Sequence, residues 1–324
     1  MQSASPIASP SLGPGHVPVL ADDVARLAAP RRGDTVVDCT FGAGGHARRL
    51  APSLGADGGY VAVDRDPGAG EHFAAFAEDV VCRTRFVHGD YADVLPCLAD
   101  EGLRADVILM DLGLSSMQVD RPERGFSYSR PAPLDMRMDP HDERSAADLV
   151  ATASEADLAG WFRRYGEERH ARAIARAIVR RRNEAPITTT AELVDVVRSA
   201  VPTPALFAGG HPAKRVFQAL RIAVNDELGS LERGLRAAFD LLEPGGRLVV
   251  ISFHSLEDRM VKRFMRGVSQ PAVPDEVPLR ADELVAEAEL LTPKVIRPKQ
   301  AETDANPRSR SALLRAVLRE DIAS

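Results

Sequence analysis

The sequence predicts an α/β fold: a parallel sheet with helices on both faces, interrupted by an inserted helical domain. Three observations predict it. Short, near-continuous apolar runs alternate with helical segments between residues 35 and 111, as expected of strands buried on both faces. A glycine-rich turn, Gly42-Ala43-Gly44-Gly45, directly follows the first apolar run. The alternation then breaks near Gly113, and residues 121–214 carry helical patterns without a strong strand.

Residues 1–15 are rich in Ser, Pro, Ala and Gly and lack the basic start and apolar core of a signal peptide, so a disordered tail is expected there. A short amphipathic helix is expected within 16–29, stopped by Pro30 and Gly33. Strands are expected at 35–39, 60–63, 85–87 and 106–110, with helices after the second and third at 66–78 and 93–100. The insertion opens with a loop rich in Pro, Arg and Met at 121–140. Helices are expected at 145–151, 154–165, 167–182 and 190–200, and a Pro/Gly-rich stretch at 201–212 closes the insertion. A long helix over 216–242 should return the chain to the sheet, followed by a turn at Glu243-Pro244-Gly245-Gly246 and a strand at 247–253. A helix at 256–266, an acidic, Pro-rich surface excursion at 270–293 and a last strand near 311–318 complete the reading. The expected organisation is a tail (1–15), one discontinuous domain (16–120 and 215–324) and the insertion (121–214).

Composition narrows the function. The 324 residues are 44% hydrophobic and 27% charged, ordinary for a globular chain able to bury a large core. Cys39, Cys82 and Cys97 show no metal-ligand spacing. They are expected to be reduced, buried thiols in a cytoplasmic protein, and no bound metal is expected. No run reaches the ~18 apolar residues of a membrane span. A net charge of −6 argues against a general polyanion binder, yet residues 121–215 carry 16 Lys+Arg against 13 Asp+Glu. The insertion is thus a basic region in an acidic chain.

Each of the first four strands ends in a carboxylate: Asp38, Asp64, Asp90 and Asp111. In a doubly wound sheet, ligands bind beyond the carboxyl ends of the strands. A lone acid there is usually a helix cap or a solvated loop residue; four around one crevice ask for a ligand with several donors. Asp64 lies 22 residues beyond Gly42, the spacing at which an acid accepts from ribose hydroxyls. Gly42, Gly44 and Ala47 also fit the dinucleotide pattern G-x-G-x-x-A, so an NAD-dependent oxidoreductase is one reading. That reading leaves Asp38, Asp90 and Asp111 without a task. S-adenosylmethionine, with an ammonium, a sulfonium, a ribose diol and an adenine amino group, uses them all. Tyr91 can stack on adenine or simply pack at its strand–helix junction.

Asp38-Cys39-Thr40-Phe41-Gly42-Ala43-Gly44-Gly45-His46 resembles the glycine motif of the RsmH (MraW) family, S-adenosylmethionine-dependent methyltransferases of bacterial 16S ribosomal RNA. Asp64-Arg65-Asp66-Pro67, Asp111-Leu112-Gly113-Leu114-Ser115-Ser116, Arg124-Gly125-Phe126-Ser127, Tyr165-Gly166-Glu167-Glu168-Arg169 and Ile251-Ser252-Phe253-His254-Ser255-Leu256-Glu257-Asp258 are similar to later family motifs, in order. The resemblance implies a Rossmann-like methyltransferase domain with an inserted helical domain that helps recognise RNA. It implies that Gly44, Gly45 and His46 line the methionine end of the cofactor, that Asp64 holds the ribose and that Tyr91 faces the adenine. Asp111 and Gln118 complete the pocket near the methyl group. The implied substrate is the N4 amine of the decoding-centre (P-site) cytidine of 16S rRNA, position 1402 in standard rRNA numbering, within the small ribosomal subunit.

At the position where many amino-methyltransferases carry Asp/Asn-Pro-Pro-aromatic, this chain has Asp111-Leu112-Gly113-Leu114. The acid is the one candidate catalytic group there, and the sequence identifies no catalytic base. Phe126, Tyr128, Phe253 and His254 are candidate contacts to the target base. Arg169, Arg172, Arg176 and Arg180 recur at spacings that place them on one helix face, a candidate RNA-phosphate surface. A non-enzymatic rRNA assembly factor retaining the fold is the other alternative, and oligomerisation is left open.

Overall fold

The structure, a computed structural model, describes residues 18–203, 211–271 and 286–321. The expected tail lies outside them, as does most of the excursion at 270–293. Strands β1 (Thr35–Asp38), β2 (Gly59–Asp64), β3 (Arg83–His88), β4 (Ala105–Asp111), β5 (Leu242–Ser252), β6 (Ala288–Leu290) and β7 (Leu313–Arg319) form one sheet in the order β3-β2-β1-β4-β5-β7-β6. The strands from β3 to β5 run parallel, and β7 is antiparallel to both β5 and β6.

Before the insertion the helices are α1 (Ala21–Ala28), α2 (Gly45–Leu50), α3 (Ala69–Asp79), α4 (Tyr91–Asp100) and α5 (Ser116–Asp120). The insertion holds α6 (Ala146–Thr152), α7 (Glu155–Arg164), α8 (Ala171–Glu184) and α9 (Thr190–Ala200). Capping boxes start two of them, Ser145 with Asp148 for α6 and Thr189 with Glu192 for α9. Then come α10 (Lys214–Asn225), α11 (Glu227–Leu241), α12 (Ser255–Val268) and α13 (Gln300–Ala305).

The sheet is buried on both faces because its strands are apolar at successive positions. Val37, Ile108 and Val250 face a cluster with Leu95, Leu235 and Met265 from α4, α11 and α12. Their chain neighbours Val36, Leu109 and Val249 face the opposite cluster with Val24, Leu50 and Phe76 from α1, α2 and α3. Adjacent strand residues point to opposite faces, so each apolar pair feeds both clusters. A third cluster unites Phe126, Leu134, Phe162, Ile174, Leu193 and Leu220. It runs past the expected boundary at residue 214, because the buried face of α10 packs on α6 and α7.

Four expectations are corrected. Cys97, in α4, is exposed, while Cys39 and Cys82 are buried as expected. The helix expected over 216–242 is two helices, separated at Asp226, whose φ of 47° takes the left-handed conformation and ends α10. The turn at 243–246 is a bulge inside β5: the pairing jumps from Ala105↔Leu242 to Val107↔Arg247. The stretch read as an excursion contributes β6, an edge strand of 3 residues, too short to show a period.

Candidate active site

The carboxyl ends of β1, β2, β4 and β5 surround a cavity of about 490 Å³. Its floor is the glycine turn between β1 and α2. Gly42 and Gly44 have φ of 55° and 75°, and a Cβ on Gly44 would stand 2.8 Å from the Phe41 ring. Only glycine tolerates both demands. The Gly42 N–H donates to Asp64 Oδ2 at 2.7 Å, which ties the turn to the end of β2. The Asp66 N–H donates to the other oxygen at 2.8 Å, fixing the carboxylate at the cavity wall. Burial, opposed by those two N–H donors, pushes the Asp64 carboxyl up to about 6.

His46 and Asp111 meet across the floor, with His46 Nε2 3.6 Å from Asp111 Oδ2. His46 is 6% exposed, and neither ring nitrogen has a hydrogen-bond partner among the described residues. Asp111 Oδ1 is buried and equally unpartnered. The Asp111 N–H donates to Thr40 Oγ1 at 2.6 Å, locking the end of β4 to the turn. Unpartnered buried polar atoms are costly. Here they line a cavity, where a ligand with its own donors and acceptors would complete them.

Gln118 also lines the cavity. Its amide closes the capping box of α5 on Ser115 and donates to Asp66 Oδ2 at 3.1 Å. Tyr91 lines the cavity from the start of α4, its ring laid where a Cβ on Gly234 would stand 2.4 Å from Cε2. Gly44 is the cap of α2, and Gly45 begins that helix beside the cavity.

Two of the strand-end acids have other work. Asp38 is 1% exposed and does not line the cavity; it accepts from Tyr60 Oη at 2.9 Å and the Thr40 N–H at 3.1 Å. The expected ligand acceptor is therefore a buried brace beneath the turn, because Tyr60, opposite Val36 on the neighbouring strand β2, supplies its phenol to the carboxylate. Asp90 borders the cavity but caps α4 through the Ala92 N–H at 2.9 Å, pairs with Arg65 at 2.8 Å and accepts from Ser230. Phe126, at 8% exposure, belongs to the helical core, and Tyr128 stacks on His211 with ring centroids 4.4 Å apart. Neither lines the cavity. Phe253 does, and His254 follows it at the start of α12.

The sequence reading passed over Arg65, Glu227 and Glu257. Arg65 Nη1 donates to the Asn225 carbonyl at 2.6 Å, joining β2 to the break between α10 and α11. Glu227 lines the cavity with both carboxylate oxygens on Arg221, at 2.7 and 2.6 Å. Glu257, 3% exposed, lines the cavity at the first turn of α12. It stands in the quoted motif 251–258, which was the available signal. Arg169, Arg172, Arg176 and Arg180 are all exposed, and Arg176 lies 3.7 Å from Glu155. Arg182 instead turns inward to the carbonyls of Val150 and Ala153, at 2.6 and 2.8 Å.

The MraW methylase family model matches residues 14–320. The chain belongs to that family. A ribosomal RNA small subunit methyltransferase H from Symbiobacterium thermophilum is 48% identical over 311 residues, 94% of this chain and 96% of its own. The protein of the same name from Rubrobacter xylanophilus is 49% identical, also over 94% of this chain and 96% of its own. Family membership makes the chain a methyltransferase. A solved rRNA methylase from Streptococcus thermophilus aligns over 93% of this chain at 10% identity and a TM-score of 0.40, too remote a likeness to bear on function.

Proposed function

We propose that the chain transfers a methyl group from S-adenosylmethionine to the N4 amine of a decoding-centre cytidine of 16S rRNA, position 1402, in the small ribosomal subunit. The observation that carries the reading is the unpartnered pair His46 and Asp111 at the floor of the cavity. Together they offer an acceptor for an ammonium and ring nitrogens for a carboxylate, the two ends of an amino acid. Bound S-adenosylmethionine supplies a methyl group on a sulfonium, activated for attack.

The residues divide the remaining work. Gly44, Gly45 and His46 receive the methionine end, where the glycines leave room for close approach. Asp64, ionised above about pH 6, accepts from the ribose. Tyr91 offers a ring face to the adenine. Asp111 and Gln118 bound the methyl end. Holding the amine in line behind the methyl group can supply ~7–11 kcal/mol of the barrier, so orientation is the main task of the site.

The names of the two relatives support small-subunit rRNA as the substrate class. The exposed arginines of α8 suit its phosphates. The proposed setting is the cytoplasm; no helix among the described residues is long and apolar enough to cross a membrane. The dinucleotide reading loses support from the sheet. Dinucleotide-binding folds order their strands 3-2-1-4-5-6, whereas here an antiparallel β7 stands between β5 and β6.

Mass spectrometry of 16S rRNA fragments, after incubating undermethylated small subunits with the protein and S-adenosylmethionine, tests the reading. A mass gain of one methyl on the decoding-centre cytidine is expected. An unmodified fragment, or calorimetric binding of NAD in place of S-adenosylhomocysteine, would overturn it.

A further inference from the structure

The side chains of Glu227 and Glu257, which line the cavity, converge with that of His254, one donor or acceptor atom from each lying inside 4.8 Å of the others. Their arrangement is asymmetric. Glu227 spends both oxygens on the partly buried guanidinium of Arg221. Glu257 Oε2 accepts the N–H groups of Phe253 and His254 at 2.8 and 3.1 Å. Its Oε1 lies 3.1 Å from His254 Nε2. Among the described residues Nε2 has no other hydrogen-bond partner. His254 Nδ1 accepts the Glu257 N–H at 3.4 Å. Two carboxylates thus face one guanidinium at this wall.

Methyl transfer from a sulfonium to an amine moves positive charge onto the amine nitrogen. A fixed negative charge at that place stabilises the transition state more than the ground state. Asp111 and Glu257 end up on one rim, because Asp111 pairs in register with Ile251 and Phe253 packs against Gly113. We infer that Glu257 Oε1 accepts a hydrogen bond from the target cytidine's N4 amine and takes its proton during transfer, with His254 as the positioning residue that holds Glu257. The assignment rests on the cytidine reading above. In the step, the N4–carbon bond forms as the carbon–sulfur bond breaks, its electron pair stays on sulfur, and one N4 proton passes to Glu257. Burial raises the Glu257 carboxyl, but His254, Arg221 and the Phe253 N–H outweigh it and hold it below the ordinary range, so it is an anion at neutral pH.

The experiment compares Glu257→Gln and His254→Asn with the wild-type chain on undermethylated small subunits. Single-turnover methyl transfer is read beside calorimetric binding of S-adenosylhomocysteine and of cytidine monophosphate to the S-adenosylhomocysteine-loaded protein. Glu257→Gln is expected to slow transfer ~100-fold and weaken cytidine monophosphate, with S-adenosylhomocysteine affinity within about 2-fold. His254→Asn should keep part of the rate, separating a positioning role from a folding failure, which thermal melting reads independently. A Glu257→Gln protein that is folded and as fast as wild type overturns the assignment. So does equal loss of S-adenosylhomocysteine binding. Calorimetric binding of Mg²⁺, Mn²⁺ or Zn²⁺ to the wild type that Glu257→Gln abolishes also overturns it, making the wall a cation site. A wild type that labels no cytidine amine overturns the functional reading itself; an active wild type with an equally active variant overturns only this assignment.

Discussion

Arg124 Nη1 lies 2.9 Å from Asp66 Oδ2, and the two side chains, 13% and 4% exposed, join the start of the insertion to the loop after β2. The same guanidinium donates to the carbonyls of Arg137 and Met138 at 2.9 and 2.7 Å. Asp66 in turn accepts from Gln118. One ion pair therefore sets the position of α5, the insertion loop and the β2 side of the cavity relative to each other.

Removing one partner leaves the other charged and buried, which costs ~3–5 kcal/mol. Arg124→Ala is expected to lower the urea midpoint accordingly and to weaken S-adenosylhomocysteine binding through Gln118. A double substitution, Arg124→Met with Asp66→Asn, should recover most of the stability. Chemical denaturation of the three proteins checks this; an unchanged midpoint in Arg124→Ala would show the pair to be inert.

Burial raises Asp64 to about 6, so it is mostly ionised at pH 7.5 and mostly protonated at pH 5. S-adenosylhomocysteine affinity is expected to fall several-fold as pH drops through about 6, and Asp64→Asn should abolish that dependence while weakening binding throughout. Isothermal calorimetry at the two pH values decides it.

Asp38 is likewise held up to about 6, burial being the largest cause. Its sign in stability follows. A carboxyl that protonates more readily folded than unfolded costs stability as pH rises from its unfolded value, 3.8, through about 6. The cost is absent below the first value and reaches about 3 kcal/mol above the second. Asp38→Asn should therefore flatten the stability profile between pH 4 and pH 7, measured by denaturation at each pH.

A methyl group on Gly234 would meet the Tyr91 ring at 2.4 Å. Gly234→Ala is expected to displace that ring toward the cavity, costing ~1–3 kcal/mol by overpacking and lowering S-adenosylhomocysteine affinity. Combining it with Tyr91→Ala should relieve the stability cost. Thermal melts of the single and double variants test the contact.

Arg172 and Arg180 are exposed on α8. Their joint replacement by Ala should weaken rRNA binding and reduce the slope of log affinity against log salt by about 1.5. Filter binding across a salt series reads the slope, and an unaltered slope would return the stripe to a solvated face.

The sheet was legible because Val36-Val37, Ile108-Leu109 and Val249-Val250 each serve two faces, and that doubled burial leaves unbroken apolar runs. The break at Asp226 was not legible. The segment around it is helical by propensity, and the left-handed turn is held by tertiary contacts of Asn225, which donates to the Met136 carbonyl and accepts from the Met138 N–H. The strand-end acids show the same division. All four stand where the pattern put them, yet Tyr60 turned Asp38 into a brace and Arg65 with Ser230 engaged Asp90.

The sequence by itself determined the alternation of strands and helices, the glycine turn, the basic insertion and the ordered motifs that mark the family. These are local patterns of burial, backbone freedom and charge, written in consecutive residues. Only the tertiary structure decided which polar groups remain unpartnered. His46 and Asp111 lie far apart in the chain, and whether a buried donor or acceptor is satisfied depends on neighbours brought by other elements. Satisfaction is a property of the assembled rim. The cavity acquires its chemistry where that satisfaction fails.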